Sequence, residues 1–594
     1  MKFKVLKNTI YMLKYFFKSS PIGTSLYIFA EICRLFYYVI FIIIFTEIIF
    51  NNIERGIQYV DFIYLLVVYL IGAFVIYLFL AIQENCIMPI MYCKTRNYIA
   101  ENLYTKSTSY DLKCLEDESF YNKFTIVASE TLNKASETLD LTCDLLGKLM
   151  SITLLLSFII RDNYIIYLAI ITPVVVVHFI NKKINQLNHN KYHREVPINR
   201  KLGYINRVFH LKEFSQEIKM TNISLLLLDK FSGLKDELLT SIKFFGLKLG
   251  ILYGVWNVSF NTLPIIAVYL TGIYLFAVAE TLSIGAFVSF SIAAAVIQSY
   301  LSGLVQLYAS FSNNSLYIND IRNFNSYVPE ICDSPESIVL CCKNPAIKLS
   351  NVSFKYPNAN KYVLENITLT INFGEKVALI GLNGAGKSSL VKLLLRLHDP
   401  IAGDIQIDNV NIKNYSVTSY RKIYSIMFQE YNIYAMNASD NVSLGKEISE
   451  EIISDSLSRA SIKEKTDSFS YSTVLSKEFD NTGEILSGGE SQKISLARFF
   501  AQQSMIAIVD EPTSALDPFA AKNVFDEIIE CTSKKTLIYI THTLSHVVNF
   551  DKIYVLDGGE IKEQGTHYDL LEQNGLYANM YKAQSENFKT KAGE

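Results

Sequence analysis

Charge is what this chain has least of. Asp, Glu, Lys and Arg make up 19% of its 594 residues, and their signs nearly cancel to a formal net charge of -2. That balance excludes the basic footprint by which proteins hold nucleic acid, so no nucleic-acid partner is expected. Nine cysteines are scattered without a C-x-x-C pair, which excludes a zinc ribbon and a disulfide framework. Internal repeats and low-complexity tracts are absent. The first stretch, MKFKVLKNTIYMLKYFFKSS, alternates Lys with aromatics, and no small-residue cleavage site follows an apolar core there. It reads as an interfacial amphipathic helix rather than a signal peptide.

Apolar residues are abundant, at 50%, with 13% aromatic. They concentrate in the first half, in six runs near Ser25–Phe50, Asp61–Ile82, Leu139–Ile160, Tyr164–Ile180, Lys248–Val278 and Leu282–Phe311. A helix of about 20 such residues crosses the hydrocarbon of a bilayer, so six membrane spans are expected. Pro173 in the fourth is tolerable where neighbouring groups satisfy the freed carbonyl. Lys and Arg crowd the N-terminus and the second and fourth connections, whereas Arg55 and Arg161 are the only basic residues in the first and third. The positive-inside rule then places both termini in the cytoplasm.

The polar connections from about Met91 to Glu137 and from about Asn181 to Ser241 are too long for structureless loops. Their helical spacing predicts paired arms extending the spans into the cytoplasm, each with a short helix at its tip. SYVPEICDSPESIVLCCKNP loses that periodicity and reads as a linker. Beyond it, AIKLSNVSFKYP and GDIQIDN alternate like half-buried strands, while KVALIGL and MIAIVDE are compact runs of buried parallel strands. The expected architecture is an α-helical membrane domain over 1–328, a linker over 329–345, and an α/β P-loop nucleotide-binding domain over 346–594.

Gly381, Leu382, Asn383, Gly384, Ala385, Gly386, Lys387 and Ser388 match the P-loop pattern between a strand-like and a helix-like run, with Ser389 next. Glycines there let successive backbone N–H groups converge on phosphate. Gln429 then ends YSIMFQ, LSGGE spans Leu486–Glu490, an apolar strand ends in Asp510-Glu511, and Ser514-Ala515-Leu516-Asp517 and His542 follow. In this order the motifs resemble those of an ABC transporter ATPase, and six spans ahead of them resemble an ABC half-exporter.

The resemblance implies ATP and Mg²⁺ as cofactors, and a role for each matching position. Tyr356 would stack on adenine. Lys387 would bind the terminal phosphates, with Ser388 and Gln429 at Mg²⁺ and Asp510 holding it through water. Glu511 would act as general base and His542 would contact the γ phosphate. Ser487, Gly488, Gly489 and Glu490 would act on the ATP of a second half-transporter, a homodimer being favoured. Glu490 stands where glutamine is commoner; a carboxylate beside triphosphate is repulsive, so its side chain is expected to point away from the phosphates.

YDLKCLEDESFYNKF and HLKEFSQEIKMTN resemble the coupling helices of half-exporters, and KEFDNTGEILSGGE resembles the run before the signature in exporters of lantibiotics and related peptides. Export of a modified peptide is therefore the leading expectation. A lipid or amphipathic drug is the alternative, and a regulatory membrane ATPase a third. Glu31 and Arg34, three apart, either pair across a polar cavity or snorkel to an interface. The pairs His542/His546 and His189/His193 lack a third ligand in sequence and are not expected to bind metal.

Overall fold

The computed structural model describes residues 2–37, 43–56, 58–160, 165–278, 283–462, 471–479, 481–513 and 516–589. They form two compact units, one of Met1–Lys106 with Phe124–Ser326, the other of Ser107–Lys123 with Tyr327–Glu594.

The first unit is built from helices. Lys2–Ser19 and Pro21–Tyr37 are followed by Phe45–Glu54 and by Tyr59–Ile82. The last runs through a widened π turn, Gln83–Ile87, into Met88–Thr108. Helices Glu118–Ile160 and Ile165–His210 come next, then the short Ser215–Met220. Ile223–Asn257 continues through a second π turn, Val258–Thr262, into Leu263–Ala277, and Ile284–Ser326 completes the unit. Among the described residues three helices are long and apolar enough to cross a bilayer, Tyr59–Thr108, Ile223–Ala277 and Ile284–Ser326. They contain the second and nearly all of the fifth and sixth expected spans. The third span forms the second half of Glu118–Ile160. Parts of the first and fourth lie outside the described residues, as do the side chains of His189 and His193.

Helix Lys2–Ser19 does more than lie on a surface. Met12, Phe16 and Asn8 are fully buried or nearly so, and the Asn8 amide donates to the Ser315 carbonyl at 2.9 Å while accepting from Arg322 at 2.7 Å. Glu31 and Arg34 do form an ion pair, at 2.6 Å. Asn261 donates to Asn257 at 2.9 Å across the second π turn. Gln298 is buried and Gln306 is exposed.

The second unit carries two sheets. Strands β1 (Ile347–Phe354), β2 (Leu364–Ile371), β4 (Ala402–Ile407) and β5 (Val410–Asn411) form an antiparallel sheet in the order β2-β1-β4-β5. The larger sheet has the order β10-β9-β3-β8-β7-β6. Its members are β3 (Lys376–Gly381), β6 (Tyr424–Met427), β7 (Ile506–Asp510), β8 (Thr536–Ile540), β9 (Lys552–Asp557) and β10 (Glu560–Gly565). All neighbours pair in parallel except β10 with β9. Every residue of β7 and β8 is buried, and β3 is buried after its first residue. A parallel sheet covered on both faces requires this unbroken apolar composition, and each large side chain so buried contributes about 1.5–3 kcal/mol.

Segment Ser107–Lys123 belongs to this second unit through specific bonds. The Asp111 carboxylate accepts from the Tyr327 hydroxyl at 2.6 Å and from the backbone N–H of Glu330 and Ile331 at 2.8 and 3.1 Å. On the short helix Leu112–Glu116, Glu116 receives Lys392 Nζ at 2.8 Å and lies 3.0 Å from His398 Nε2. The imidazole is buried, which lowers its pKa and favours the neutral ring, so Lys392 is the charge partner of Glu116.

Candidate active site

The strand order explains how residues from Lys387 to His542 meet. In β3-β8-β7-β6, four parallel strands stand side by side. The loop after β3 holds the P-loop, β8 is followed by His542, β7 ends in Asp510 with Glu511 next, and β6 is followed by Gln429. Open α/β sheets bind ligands at these carboxyl ends.

In the P-loop, Gly384 and Gly386 have φ of 79° and 100°. A Cβ on Gly386 would lie 2.6 Å from Leu364 Cδ2 and 2.9 Å from the Val363 carbonyl oxygen. Only glycine closes this turn without strain. Lys387, 7% exposed, begins helix Lys387–Leu394 and donates to the carbonyls of Gly381 and Leu382 at 2.8 and 3.1 Å. Burial lowers the pKa of its ammonium, against the opposing fields of Glu511 and Asp510. Asn383 and Ala385 complete the loop, where the Ala385 N–H donates to the Leu382 carbonyl at 3.2 Å.

Ser388 donates its hydroxyl to Asp510 Oδ2 at 3.2 Å. Asp510 is 5% exposed, and burial, with the neighbouring Glu511 charge adding to it, raises its pKa to about 6. Glu511 departs from the strand with φ of 49°, a left-handed conformation costly for a residue with a Cβ. Its N–H donates to the Ile540 carbonyl at 3.0 Å, tying it to β8. The bend carries its carboxylate to two partners: Gln429 Nε2 donates to Oε2 at 2.9 Å, and His542 Nε2 lies 2.7 Å from Oε1. His542 is held from behind by Gln584, whose amide donates to its carbonyl.

Tyr356 follows β1, with its hydroxyl 2.9 Å from that of Ser389. Lys392 Nζ sits 5.1 Å from its ring centroid and His398 meets it edge-on at 5.7 Å. Ser487, Gly488, Gly489 and Glu490 gather at another place, the start of helix Gly488–Phe500. Ser487 is the N-cap, and Glu490 closes a reciprocal capping box with it.

Ser514 and Ala515 lie outside the described residues. His546 stacks on Phe525, with ring centroids 4.6 Å apart. One organising residue escaped the sequence reading. Arg498, 8% exposed, donates to the Asn441 carbonyl at 2.7 Å, the Asn432 carbonyl at 2.8 Å and Asn441 Oδ1 at 2.8 Å. It braces the signature helix against the segment that follows Gln429. A lone arginine in the run ISLARFF was the available signal, since a cation among core-facing residues needs partners.

The parts now assembled are a nest of N–H groups beside a buried ammonium, an oxygen-rich pair in Ser388 and Asp510, and a carboxylate oriented by an amide and an imidazole. Such a set suits transfer of a phosphoryl group to water.

Comparison with known proteins agrees. Residues 364–514 match the ABC transporter family model. The chain is 28% identical over 492 residues to the subtilin transport ATP-binding protein of Bacillus subtilis, covering 81% of this chain and 78% of the relative. It is 29% identical over 488 residues to the nisin transport ATP-binding protein of Lactococcus lactis subsp. lactis, covering 81% and 80%. An ATP-dependent lipid A-core flippase of Idiomarina loihiensis is 35% identical over 240 residues, 40% of this chain and 41% of the relative. In fold, a bacterial Atm1-family ABC exporter with ATP bound superposes with a TM-score of 0.77 at 20% identity, over 96% of this chain and 98% of that one. The chain thus carries an ABC transporter ATP-binding domain fused to a membrane domain, in the fold of an ABC exporter.

Proposed function

We propose that this exporter works as a homodimer and moves a peptide out across the cytoplasmic membrane, with the ATP-binding domain and both termini cytoplasmic. The observation that carries the chemistry is the position of Glu511 between Gln429 and His542. A general base must lie near the γ phosphate without being consumed as a metal ligand. Asp510, buried on Ser388, takes the metal side, which leaves Glu511 for the water.

The roles divide as follows. Tyr356 offers its ring to adenine. Gly381, Leu382, Asn383, Gly384, Ala385 and Gly386 wrap the phosphates with backbone N–H groups, Lys387 reaches the terminal ones, and Ser389 steadies Tyr356. Glu511 polarises the attacking water, and His542 both orients Glu511 and meets the γ phosphate. Ser388, the Gln429 amide oxygen and, through water, Asp510 offer oxygen donors alone, the set that Mg²⁺ prefers. When bound, Mg²⁺ supplies charge neutralisation of the phosphates. Ser487, Gly488, Gly489 and Glu490 complete the site of the second subunit, so hydrolysis requires closure of the pair.

Peptide cargo is supported by how far the similarity reaches. Alignments of 492 and 488 residues to the subtilin and nisin transport proteins extend well into the membrane half. The flippase match of 240 residues is of the size of the ATP-binding part alone. Cytoplasmic placement rests on the Lys and Arg distribution.

The test is ATP-dependent uptake of peptide into inside-out proteoliposomes. Wild type should accumulate peptide, and Glu511→Gln should bind ATP yet hydrolyse and transport at least a hundredfold more slowly. Equal uptake by both proteins would refute the assignment of Glu511, and uptake of lipid or drug but no peptide would refute the cargo.

A further inference from the structure

Within the helical unit lies a cavity of about 430 Å³ that the ATP chemistry does not use. Its size falls in the range of ligand clefts, about 300–1,000 Å³. Helices Pro21–Tyr37, Tyr59–Ile82 with its π turn, and Glu118–Ile160 enclose it. Five carboxylates line it, those of Glu31, Glu84, Glu137, Asp140 and Asp144.

Three of these have cations within the fold. Arg34 pairs with Glu31 at 2.6 Å, Lys134 with Glu137 at 2.7 Å and Lys148 with Asp144 at 2.6 Å. Among the described residues Asp140 receives neutral donors, the hydroxyls of Tyr27 and Tyr92, each at 2.8 Å. They orient its carboxylate, and neither hydroxyl is a cation that could pair with it. Among the described residues Glu84 forms no ion pair, and the one cation lining the cavity, Arg34, is engaged by Glu31. Glu84 and Asp140 are both exposed, so a ligand in the cavity can reach them.

A second feature points the same way from a neutral group. Gln83 also lines the cavity, is 4% exposed, and its Nε2 has no hydrogen-bond partner. A buried amide N–H₂ left unpaired is costly, and an acceptor on a ligand would restore the missing hydrogen bond. Gln83 and Glu84 open the π turn Gln83–Ile87, and such single widened turns occur often at functional sites.

We propose that this cavity binds a cationic side chain of the transported peptide. The uncompensated Glu84 and Asp140 take its ammonium or guanidinium, and Gln83 donates to a carbonyl of the same peptide. The inference rests on the peptide reading above and adds to it a preference for positive charge.

Binding is measured on the full chain in nanodiscs of zwitterionic phosphatidylcholine. The probes are fluorescent pentalysine, its side-chain-acetylated form, pentaglutamate, and spermine, which has the charge without the carbonyl. Pentalysine should bind at least tenfold more tightly than the acetylated peptide or pentaglutamate. Glu84→Gln should weaken pentalysine about tenfold and Glu84→Lys further, an order that misfolding would not produce. Gln83→Leu should weaken pentalysine several-fold and leave spermine unchanged.

Indifference to acetylation, or pentalysine binding unaltered in both Glu84 variants, would overturn the cationic site while leaving peptide export standing. Glu84-dependent binding of spermine with no binding of any peptide would uphold a cation site and overturn the peptide reading. Failure of every cationic probe to bind would overturn the proposal.

Discussion

Glu490 is tethered to Ser487: its Oε2 lies 2.8 Å from the Ser487 backbone nitrogen and 2.9 Å from the Ser487 hydroxyl. In return the Ser487 hydroxyl accepts the Glu490 N–H at 3.4 Å. Repulsion from phosphate suggested only that this carboxylate turns aside. The structure supplies a positive reason for its orientation, the orphan N–H groups of a helix start. A glutamine oxygen can accept the same bonds, so Glu490→Gln is expected to change ATP hydrolysis by less than tenfold, about 1.4 kcal/mol in the barrier. Glu490→Ala removes the box and should lower stability by about 1 kcal/mol. Steady-state hydrolysis and thermal unfolding of the reconstituted protein check the two effects separately.

Asp510 makes stability of the nucleotide-free protein pH-dependent. Its folded-state pKa, about 6, stands above the ordinary aspartate value of 3.8. The protonated carboxyl therefore favours the fold below that ordinary value, and this contribution is lost as pH rises through about 6. Its full size is about 3 kcal/mol at most. Asp510→Asn mimics the protonated form, so it should unfold at a higher temperature than wild type at pH 7.5, with the difference shrinking by pH 5. The same variant should hydrolyse Mg·ATP poorly, since the negative charge proposed for the metal is gone. Calorimetry across pH decides the first point.

Glu116 joins the short helix Leu112–Glu116 to Lys392, and Lys392 lies over the ring of Tyr356. Removing the carboxylate frees Lys392 to drift from Tyr356, where adenine is proposed to bind. Glu116→Ala is expected to lower the stimulation of hydrolysis by cargo several-fold, with a smaller effect on unstimulated turnover. Comparing the two rates in one nanodisc preparation tests this; an equal fall in both would show that Glu116 serves only nucleotide binding.

Arg498 is buried and donates to three acceptors, two of them on the fully buried Asn441. Arg498→Met removes all three bonds and leaves the buried Asn441 carbonyl without this donor, which should destabilise the ATP-binding unit by about 1–3 kcal/mol. Arg498→Lys, with a point charge in place of a planar fork, should recover only part of this. Denaturant unfolding of the full chain, followed by hydrogen exchange at Asn432 and Asn441, reads the result.

Legibility in the sequence followed the range of the interaction. The P-loop, the Asp510-Glu511 strand end and the helix start at Ser487 are local devices, written in a few adjacent residues whose spacing dictates the turn or cap. The buried strands were readable for a similar reason, since burial on both faces demands continuous apolar composition. Arg498 was not readable, because its three acceptors belong to residues 57 and 66 positions away. The π turn at Gln83 was equally hidden, as nothing in QENCI distinguishes one extra residue per turn from an ordinary helix.

By itself, then, the sequence determined the two-part architecture and which side chains are equipped for ATP chemistry, because hydrophobic period and glycine placement act within a turn or strand. Only the tertiary structure decided that Gln429, Glu511 and His542 meet, because that depends on β8 inserting between β3 and β7 in the parallel sheet. It also decided that Glu84 and Asp140 share a cavity, since their approach depends on packing of helices far apart in the chain.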